Sequence, residues 1–341
     1  MTAQPLPEKI YFVLPDDREM PSGGNIYNQY LIEALKHMGQ EVVLCSFAQY
    51  QQVLSVQQSG IYGVDSLFVD TLKDQLPEKK PGGFSFFILH HLESLHPQRG
   101  ESGHILFEKE RKVLDTFDMI LATSDFSRQY LRQKQVDIPV IVVEPALTES
   151  STHTQPVAEL PMRGLIVANV VERKGVFSFL QALQRNAKES DSFHLSIVGR
   201  KDMELAYYQA CERLVQHSIL REKVFFLGGL SHDETLRQYA HHHVLVSAAS
   251  METYGMALQE ARTYGLPLLV LEGGNSSRHI RQGSGILCAD IFELAGNFLQ
   301  LSRSKTALQA CLDAAQKQHE DASYRWEEAA SIFLHQIRNF L

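Results

Sequence analysis

Ser250-Met251-Glu252-Thr253-Tyr254-Gly255-Met256-Ala257-Leu258-Gln259-Glu260 places two carboxylates eight positions apart, with a glycine between them, directly after the apolar run Val244 to Ala248. The order reads as a buried strand, a turn and a helix running from Gly255 to Tyr264. If most of the span is helical, eight residues cover about 12 Å, and eight steps of about 100° return close to the starting face. Both acids then reach opposite ends of one extended ligand. Peptide N–H groups at Thr253 to Gly255 would stand at a helix N-terminus, which attracts phosphate. Two solvated glutamates on a surface helix would look similar by composition; the glycine and the strand before it favour the ligand reading.

The same alternation of strand and helix extends in both directions. In the second half, strands at Gly164 to Ala168, His194 to Val198, Val224 to Leu227, Val244 to Ala248 and Leu266 to Leu271 alternate with helices at Val176 to Gln184, Met203 to His217, Asp233 to Ala240 and Gly255 to Tyr264. In the first half, strands are expected at Lys9 to Leu14, Glu41 to Cys45, Phe84 to Leu89, Met119 to Ala122 and Val140 to Val143. Helices are expected at Gly23 to His37, Ile105 to Phe117 and Asp125 to Lys134. Gln51 to Asp74 reads as loop. Strands alternating with helices give an α/β fold, here two doubly wound Rossmann-like domains facing a cleft. Their expected bounds are 1–150 and 160–321, joined by the polar, proline-punctuated stretch Glu144 to Pro161. A last helix, residues 322–341, carries Trp326, Ile332, Phe333 and Ile337 as an apolar face and is expected to pack on the first domain.

Composition narrows the function classes. The chain has 341 residues, 44% hydrophobic and 21% charged, enough to bury globular cores. Net charge is −8, and the first 155 residues carry 13 basic and 20 acidic side chains against 19 and 20 in the remainder. With no long basic run, nucleic acid is not an expected partner. No stretch reaches the roughly 20 apolar residues of a membrane span, and the N-terminus lacks a signal-peptide core, so a cytoplasmic address is expected. Cys45, Cys211, Cys288 and Cys311 stand far apart and read as reduced thiols.

Ser250 to Glu260, continued by Ala261-Arg262-Thr263-Tyr264-Gly265-Leu266-Pro267, resembles the E-x7-E region of retaining GT-B glycosyltransferases, particularly family 4. The likeness extends over nearly the whole chain. It includes Gly23-Gly24 at the first helix, His90 after the strand Phe86 to Leu89, Thr123-Ser124 at a strand end, Lys174-Gly175 and Gly199. The resemblance implies that Glu260 holds the ribose diol of a nucleotide sugar, since a carboxylate accepts from two hydroxyls at once. It implies that Glu252 sits by the transferred sugar and that Lys174 faces the diphosphate, with Thr253, Tyr254, Gly255 and Met256 also on the donor. His90 would contact the donor sugar beside the acceptor. Gly23, Gly24 and Gly199 allow close backbone approach to the donor.

One departure stands out. The family's usual arginine about five residues before the lysine is replaced by Asn169, and adjacent Arg173 is the candidate to supply the charge. Gly273-Gly274-Asn275-Ser276-Ser277 matches a donor-contacting turn only in part, without its acid.

Other clusters read as bland. His90, His91, His96 and His104 lack the pattern of a metal site, and no metal is expected. His241-His242-His243 reads as a polar junction. The helix carrying Glu108-Lys109-Glu110-Arg111-Lys112 reads as solvated, with peripheral membrane contact as the lesser alternative. The implied reaction moves a sugar from a nucleotide-diphosphate sugar, the co-substrate, to a carbohydrate or lipid hydroxyl with retention and without metal or other cofactor. A degenerate relative that binds without turnover, and a sugar-nucleotide epimerase, are the alternatives.

Overall fold

The computed structural model describes residues 4–16, 22–56, 59–74, 83–96, 100–147, 156–281, 283–318 and 324–341. The chain divides into two compact units, one of residues 1–19, 24–148 and 324–341, the other of 20–23 and 149–323. Residues 148–155, the middle of the expected linker, lie outside the described residues. No described helix is long and apolar enough to cross a membrane.

In the first unit β1 (Ile10–Val13), β2 (Val42–Cys45), β3 (Ile61–Asp65), β4 (Phe84–Leu89), β5 (Met119–Ala122) and β6 (Val140–Val142) form one parallel sheet in the order β2-β1-β3-β4-β5-β6. Central strands such as β4 and β5 are buried almost throughout, which is why they read as unbroken apolar runs rather than alternating ones. Helices α1 (Gly23–His37), α2 (Phe47–Val56), α3 (Val69–Asp74), α4 (Gly100–Leu114) and α5 (Asp125–Gln133) connect them. The stretch expected as loop, 51–74, instead contains most of α2, all of α3 and the central strand β3. Gly63 in mid-strand hides that strand from a propensity reading. Its reason is packing: a Cβ there would lie 2.3 Å from the Phe86 ring.

The C-terminal helix, α12 (Trp326–Arg338), belongs to this unit and packs on α1. Trp326 stacks on Tyr30, with ring centroids 5.5 Å apart, and meets Tyr27 edge-on. Phe333 lies 5.4 Å from Phe86, centroid to centroid. The buried stripe is Trp326, Ala329, Ala330, Phe333, Leu334 and Ile337, a helical spacing of three and four. Ile332, expected on this face, falls off the stripe and is exposed.

In the second unit β7 (Met162–Val167), β8 (Phe193–Val198), β9 (Val224–Gly228), β10 (Val244–Ser247), β11 (Leu268–Leu271) and β12 (Gly285–Cys288) pair in parallel in the order β12-β11-β10-β7-β8-β9. The short strand β12 was not expected from the sequence. Helices α6 (Val176–Asn186), α7 (Leu205–Gln216), α8 (His232–His241), α9 (Met256–Thr263), α10 (Ile291–Arg303) and α11 (Lys305–Lys317) complete it. One core packs Phe179, Phe193 and Phe298 on the sheet. A second packs Tyr239, Leu258 and Ala261 on it.

The histidine run between α8 and β10 is a structural joint. His243 exchanges bonds with Arg163 on β7: its N–H donates to Arg163 O at 2.8 Å, and its Nδ1 accepts from Arg163 N at 3.0 Å. Burial pushes the His242 and His243 imidazoles down to about 4. Folded, they resist protonation; unfolded, they take a proton near pH 6.5. Between those values the unfolded state binds more protons, so stability is full above about pH 6.5 and falls as pH drops toward 4. Urea unfolding across this window, with ring NMR shifts followed in parallel, is expected to show that loss while both rings stay neutral; rings titrating near 6.5 would contradict it.

The α12 stripe gives a second expectation. Phe333→Ala removes a fully buried ring and should cost about 3–5 kcal/mol in denaturant unfolding. Ile332→Ala, on the exposed side, should cost under about 1 kcal/mol. Equal losses would show that the helix docks by another face.

Candidate functional site

Lys174 ends a single 3₁₀ turn, Glu172–Lys174, that follows β7. Gly175 after it has φ of +67°, and a Cβ there would lie 2.1 Å from the carbonyl oxygen of Ala248 at the end of β10. Only glycine lets the two loops touch. The approach delivers the Lys174 ammonium to Glu252, Nζ to Oε1 2.7 Å, with the two side chains 17% and 16% exposed. Arg173 shares the turn but is exposed. At about three residues per 3₁₀ turn, neighbours diverge by about 120°, so Arg173 does not follow Lys174 to the carboxylate.

Glu252 is not in a helix. It lies in an extended segment bridged to Gly274, and Asn275 N–H donates to its carbonyl at 2.7 Å. Gly273 and Gly274 make that contact possible, since Cβ atoms there would lie 2.1 Å from Ser250 O and 2.3 Å from Glu252 O. The partial match at Gly273 to Ser277 is thus a brace for the glutamate. Helix α9 starts only at Met256, after Gly255 with φ of +90°. The helix expected from Gly255 to Tyr264 is present, but the condition that most of the span between the two acids be helical is met only in its second half.

The turn between them is held from one side by His279. Its Nε2 donates to Tyr254 O at 2.6 Å, its ring meets the Tyr254 ring edge-on, and a Cβ on Gly255 would lie 3.1 Å from Nε2. Burial pushes this imidazole down to about 4, so it stays neutral near pH 7. Tyr254 and Gly255 are buried, while Thr253 and Met256 are half-buried at the head of α9.

Glu260 lies one turn into α9 with both oxygens engaged. His232 Nε2, at the start of α8, donates to Oε1 at 2.9 Å, and the Tyr239 hydroxyl donates to Oε2 at 2.8 Å. Burial first, then the Glu260 charge, raises the Tyr239 hydroxyl well above the ordinary tyrosine range, so it stays a donor. Nothing local in the sequence points to either partner. Both lie more than 20 residues away along the chain, and only the fold reveals them.

Asn169 stands where the resembled family has arginine, and its Oδ1 accepts from Arg200 N at 3.0 Å. Gly199 completes this joint, since a Cβ there would lie 2.0 Å from Ala168 O. Gly199 therefore lets the loops after β7 and β8 interlock.

In the first unit His90 directly follows β4. Its Nε2 lies 3.1 Å from Asn28 Oδ1 and 3.4 Å from Asp65 Oδ2, and its backbone N–H donates to Ser66 Oγ. Asn28 Nδ2 donates to Asp65 Oδ2, and Asp65 Oδ1 accepts from Leu67 N at 2.8 Å. Burial pushes the Asp65 carboxyl up, but His90, Leu67 and Asn28 together outweigh it and leave it below the usual range. Gly24 is explained by this ring: a Cβ there would come 3.0 Å from His90 Cδ2. Gly23 begins α1. Asp65 escapes a sequence reading because the strand it ends looks like loop.

The helix read as solvated also needs correction at one residue. Glu110 of α4 is fully buried and accepts from Glu93 N at 2.8 Å and from the Ser94 hydroxyl, fixing the turn after His91. Among the described residues no three His, Cys, Asp or Glu side chains converge to hold a metal ion.

Residues 161–318 match the family of glycosyl transferases group 1. The serotype-specific mannosyltransferase WbdA of Escherichia coli is 29% identical over 106 residues, 31% of this chain and 13% of that protein. A further WbdA sequence is 28% identical over 141 residues, 40% of this chain and 17% of its own length. The matches thus span under a fifth of these relatives. Sucrose-phosphate synthase from Thermosynechococcus elongatus superposes with a TM-score of 0.74 at 17% identity, covering 98% of this chain and 99% of that one. Anabaena HepE, in complex with UDP and glucose, gives 0.67 at 14% identity, covering 98% and 99%. Over residues 161–318 the chain is thus similar to group 1 glycosyl transferases, and its fold is GT-B.

Proposed function

We propose that the protein transfers a sugar from a nucleoside-diphosphate sugar to an acceptor hydroxyl with retention at the anomeric carbon, the second unit holding the donor and the first receiving the acceptor. The observation that carries this reading is the Lys174–Glu252 pair at the turn into α9, with Glu260 further along the same helix. The family match over these residues supports it, as does the UDP-glucose bound by the structurally similar HepE.

The hard step is parting a diphosphate from a developing oxocarbenium ion. Lys174 and the peptide N–H groups at the head of α9 supply fixed positive charge to the leaving diphosphate, the kind of preorganised stabilisation that lowers such barriers. Glu260 accepts the ribose hydroxyls, and Glu252 accepts from the hydroxyls of the transferred sugar. The acceptor oxygen bonds to the anomeric carbon from the side the phosphate leaves, the carbon–phosphate oxygen bond breaks, and the departing oxygen takes the acceptor's proton. Lys174 provides the countercharge that a divalent ion would otherwise supply. His90, as the resemblance implies, contacts the sugar.

Asn169 favours one second reading. With the usual arginine position given over to a loop joint, a relative that binds a nucleotide sugar without turning it over also suits the residues. Nucleotide release from UDP- and GDP-sugars separates the two: release supports transfer, binding alone supports the second, and interconversion of the free nucleotide sugar would indicate an epimerase. Glu260→Ala is expected to weaken nucleotide binding by about 30- to 1,000-fold, from about 2–4 kcal/mol of charge-assisted hydrogen bonding. Lys174→Ala should chiefly lower kcat. Glu260→Gln, which keeps the shape, controls for the loss of support to His232 and Tyr239. Unchanged nucleotide affinity in Glu260→Ala would remove the ribose assignment.

A further inference from the structure

The polar chain behind His90 has a direction that follows from its first member. Asp65 is wholly buried, and its carboxylate can only accept. Its Oδ1 takes the Leu67 N–H, so Oδ2 faces Asn28 and His90. An acceptor there requires the NH₂ end of the Asn28 amide, which turns Asn28 Oδ1 toward His90. Both groups facing Nε2 are then acceptors, and the imidazole must carry its proton on Nε2. In the neutral ring Nδ1 then keeps the lone pair; it makes no hydrogen bond to any described residue, on a ring 12% exposed. Tyr27 edge-on at 5.3 Å and the absent β-carbon of Gly24 keep the ring in this seat.

We propose that Asp65 and Asn28 are positioning residues that lock His90 as its Nε2–H tautomer, so that Nδ1 accepts a hydrogen bond from a hydroxyl of the transferred sugar. The proposal rests on the reading that His90 meets that sugar. It adds a polarity requirement: the sugar group at His90 must be a donor, which a hydroxyl satisfies and an ether oxygen does not. The discrimination is of the sort a buried polar partner gives, since a mismatched group would leave the imidazole facing another acceptor.

Asp65→Asn inverts the arrangement while keeping its shape. The amide oxygen of the substituted side chain still accepts from Leu67 N–H, but an NH₂ replaces the second carboxylate oxygen and donates toward the Asn28–His90 pair. Nε2 then receives a donor, either from the new amide directly or through a flipped Asn28, and the proton moves to Nδ1. Asn28→Ala removes the relay but leaves the Asp65 carboxylate beside Nε2, so the original tautomer persists.

Two-bond proton–nitrogen NMR of histidine-labelled protein reads the tautomer without any substrate. The expected result is Nε2–H in the wild type and in Asn28→Ala, and Nδ1–H in Asp65→Asn. An Nε2–H ring in Asp65→Asn would overturn the positioning role. Calorimetric titration with UDP and UDP-glucose, and with GDP and GDP-mannose, reads the sugar contact. Asp65→Asn should weaken the nucleotide sugar by about 3- to 15-fold, the worth of one hydrogen bond, and leave the free nucleotide unchanged. An equal effect on both, or none on either, would overturn the hydroxyl contact. A wild type that binds neither nucleotide would instead defeat the donor reading and leave the tautomer measurement standing.

Discussion

The carbonyl oxygen of Ala248 occupies the space a β-carbon on residue 175 would need. That exclusion brings the loop after β7 against the end of β10, and with it the Lys174 amine against Glu252. Similar contacts recur around it, at Gly199 on Ala168, Gly273 on Ser250 and Gly274 on Glu252. Each is backbone lying on backbone, which cannot relax the way a flexible side chain can. Charged groups carried by such loops are oriented before any ligand arrives, which is what electrostatic catalysis requires.

The first unit reaches the same end by different means. His90 is placed by side chains: a buried carboxylate, an amide and an aromatic edge, with one missing β-carbon at Gly24 to admit the ring. The buried charge of Asp65 is tolerable because a backbone N–H, an amide and an imidazole all point at it. Such a network is specific in a way the apolar core is not. Removing one member leaves another unsatisfied, whereas the stripe of α12 on α1 tolerates exposed Ile332 at its margin without consequence.

Residues whose surroundings are local were legible in the sequence. Strands β4 and β5 announced themselves as apolar runs, α9 by the glycine before it, and Lys174-Gly175 by its place after a strand. What stayed hidden depended on distant neighbours. Strand β3 carries a glycine that makes sense only against the ring of Phe86, so its stretch reads as loop and Asp65 at its end passes unnoticed. His232 and Tyr239 reach Glu260 only because α8 and α9 pack side by side. Glu110 looks like one charge in a solvated helix face because nothing local marks the turn it caps. The Glu252 to Glu260 spacing gives an eight-residue helical distance only if most of the span is helical, and at Glu252 the chain is extended.

Glu252 and Glu260 hold their charge under different constraints. Glu252 has a cation against it, so on the proposed reading an arriving diphosphate competes with the carboxylate for Lys174, and the pair is one of exchange rather than of permanent stability. Glu260 is held by two donors, an imidazole N–H and a phenolic hydroxyl, that occupy one site on each oxygen. An ionised carboxylate has about four lone-pair sites, so each oxygen keeps one that, on the proposed reading, accepts a ribose hydroxyl while its partner stays in place. The first glutamate is thus released by the ligand and the second is set before it. The mobile charge then lies where chemistry alters charge, and the fixed one lies where the nucleotide only has to be held.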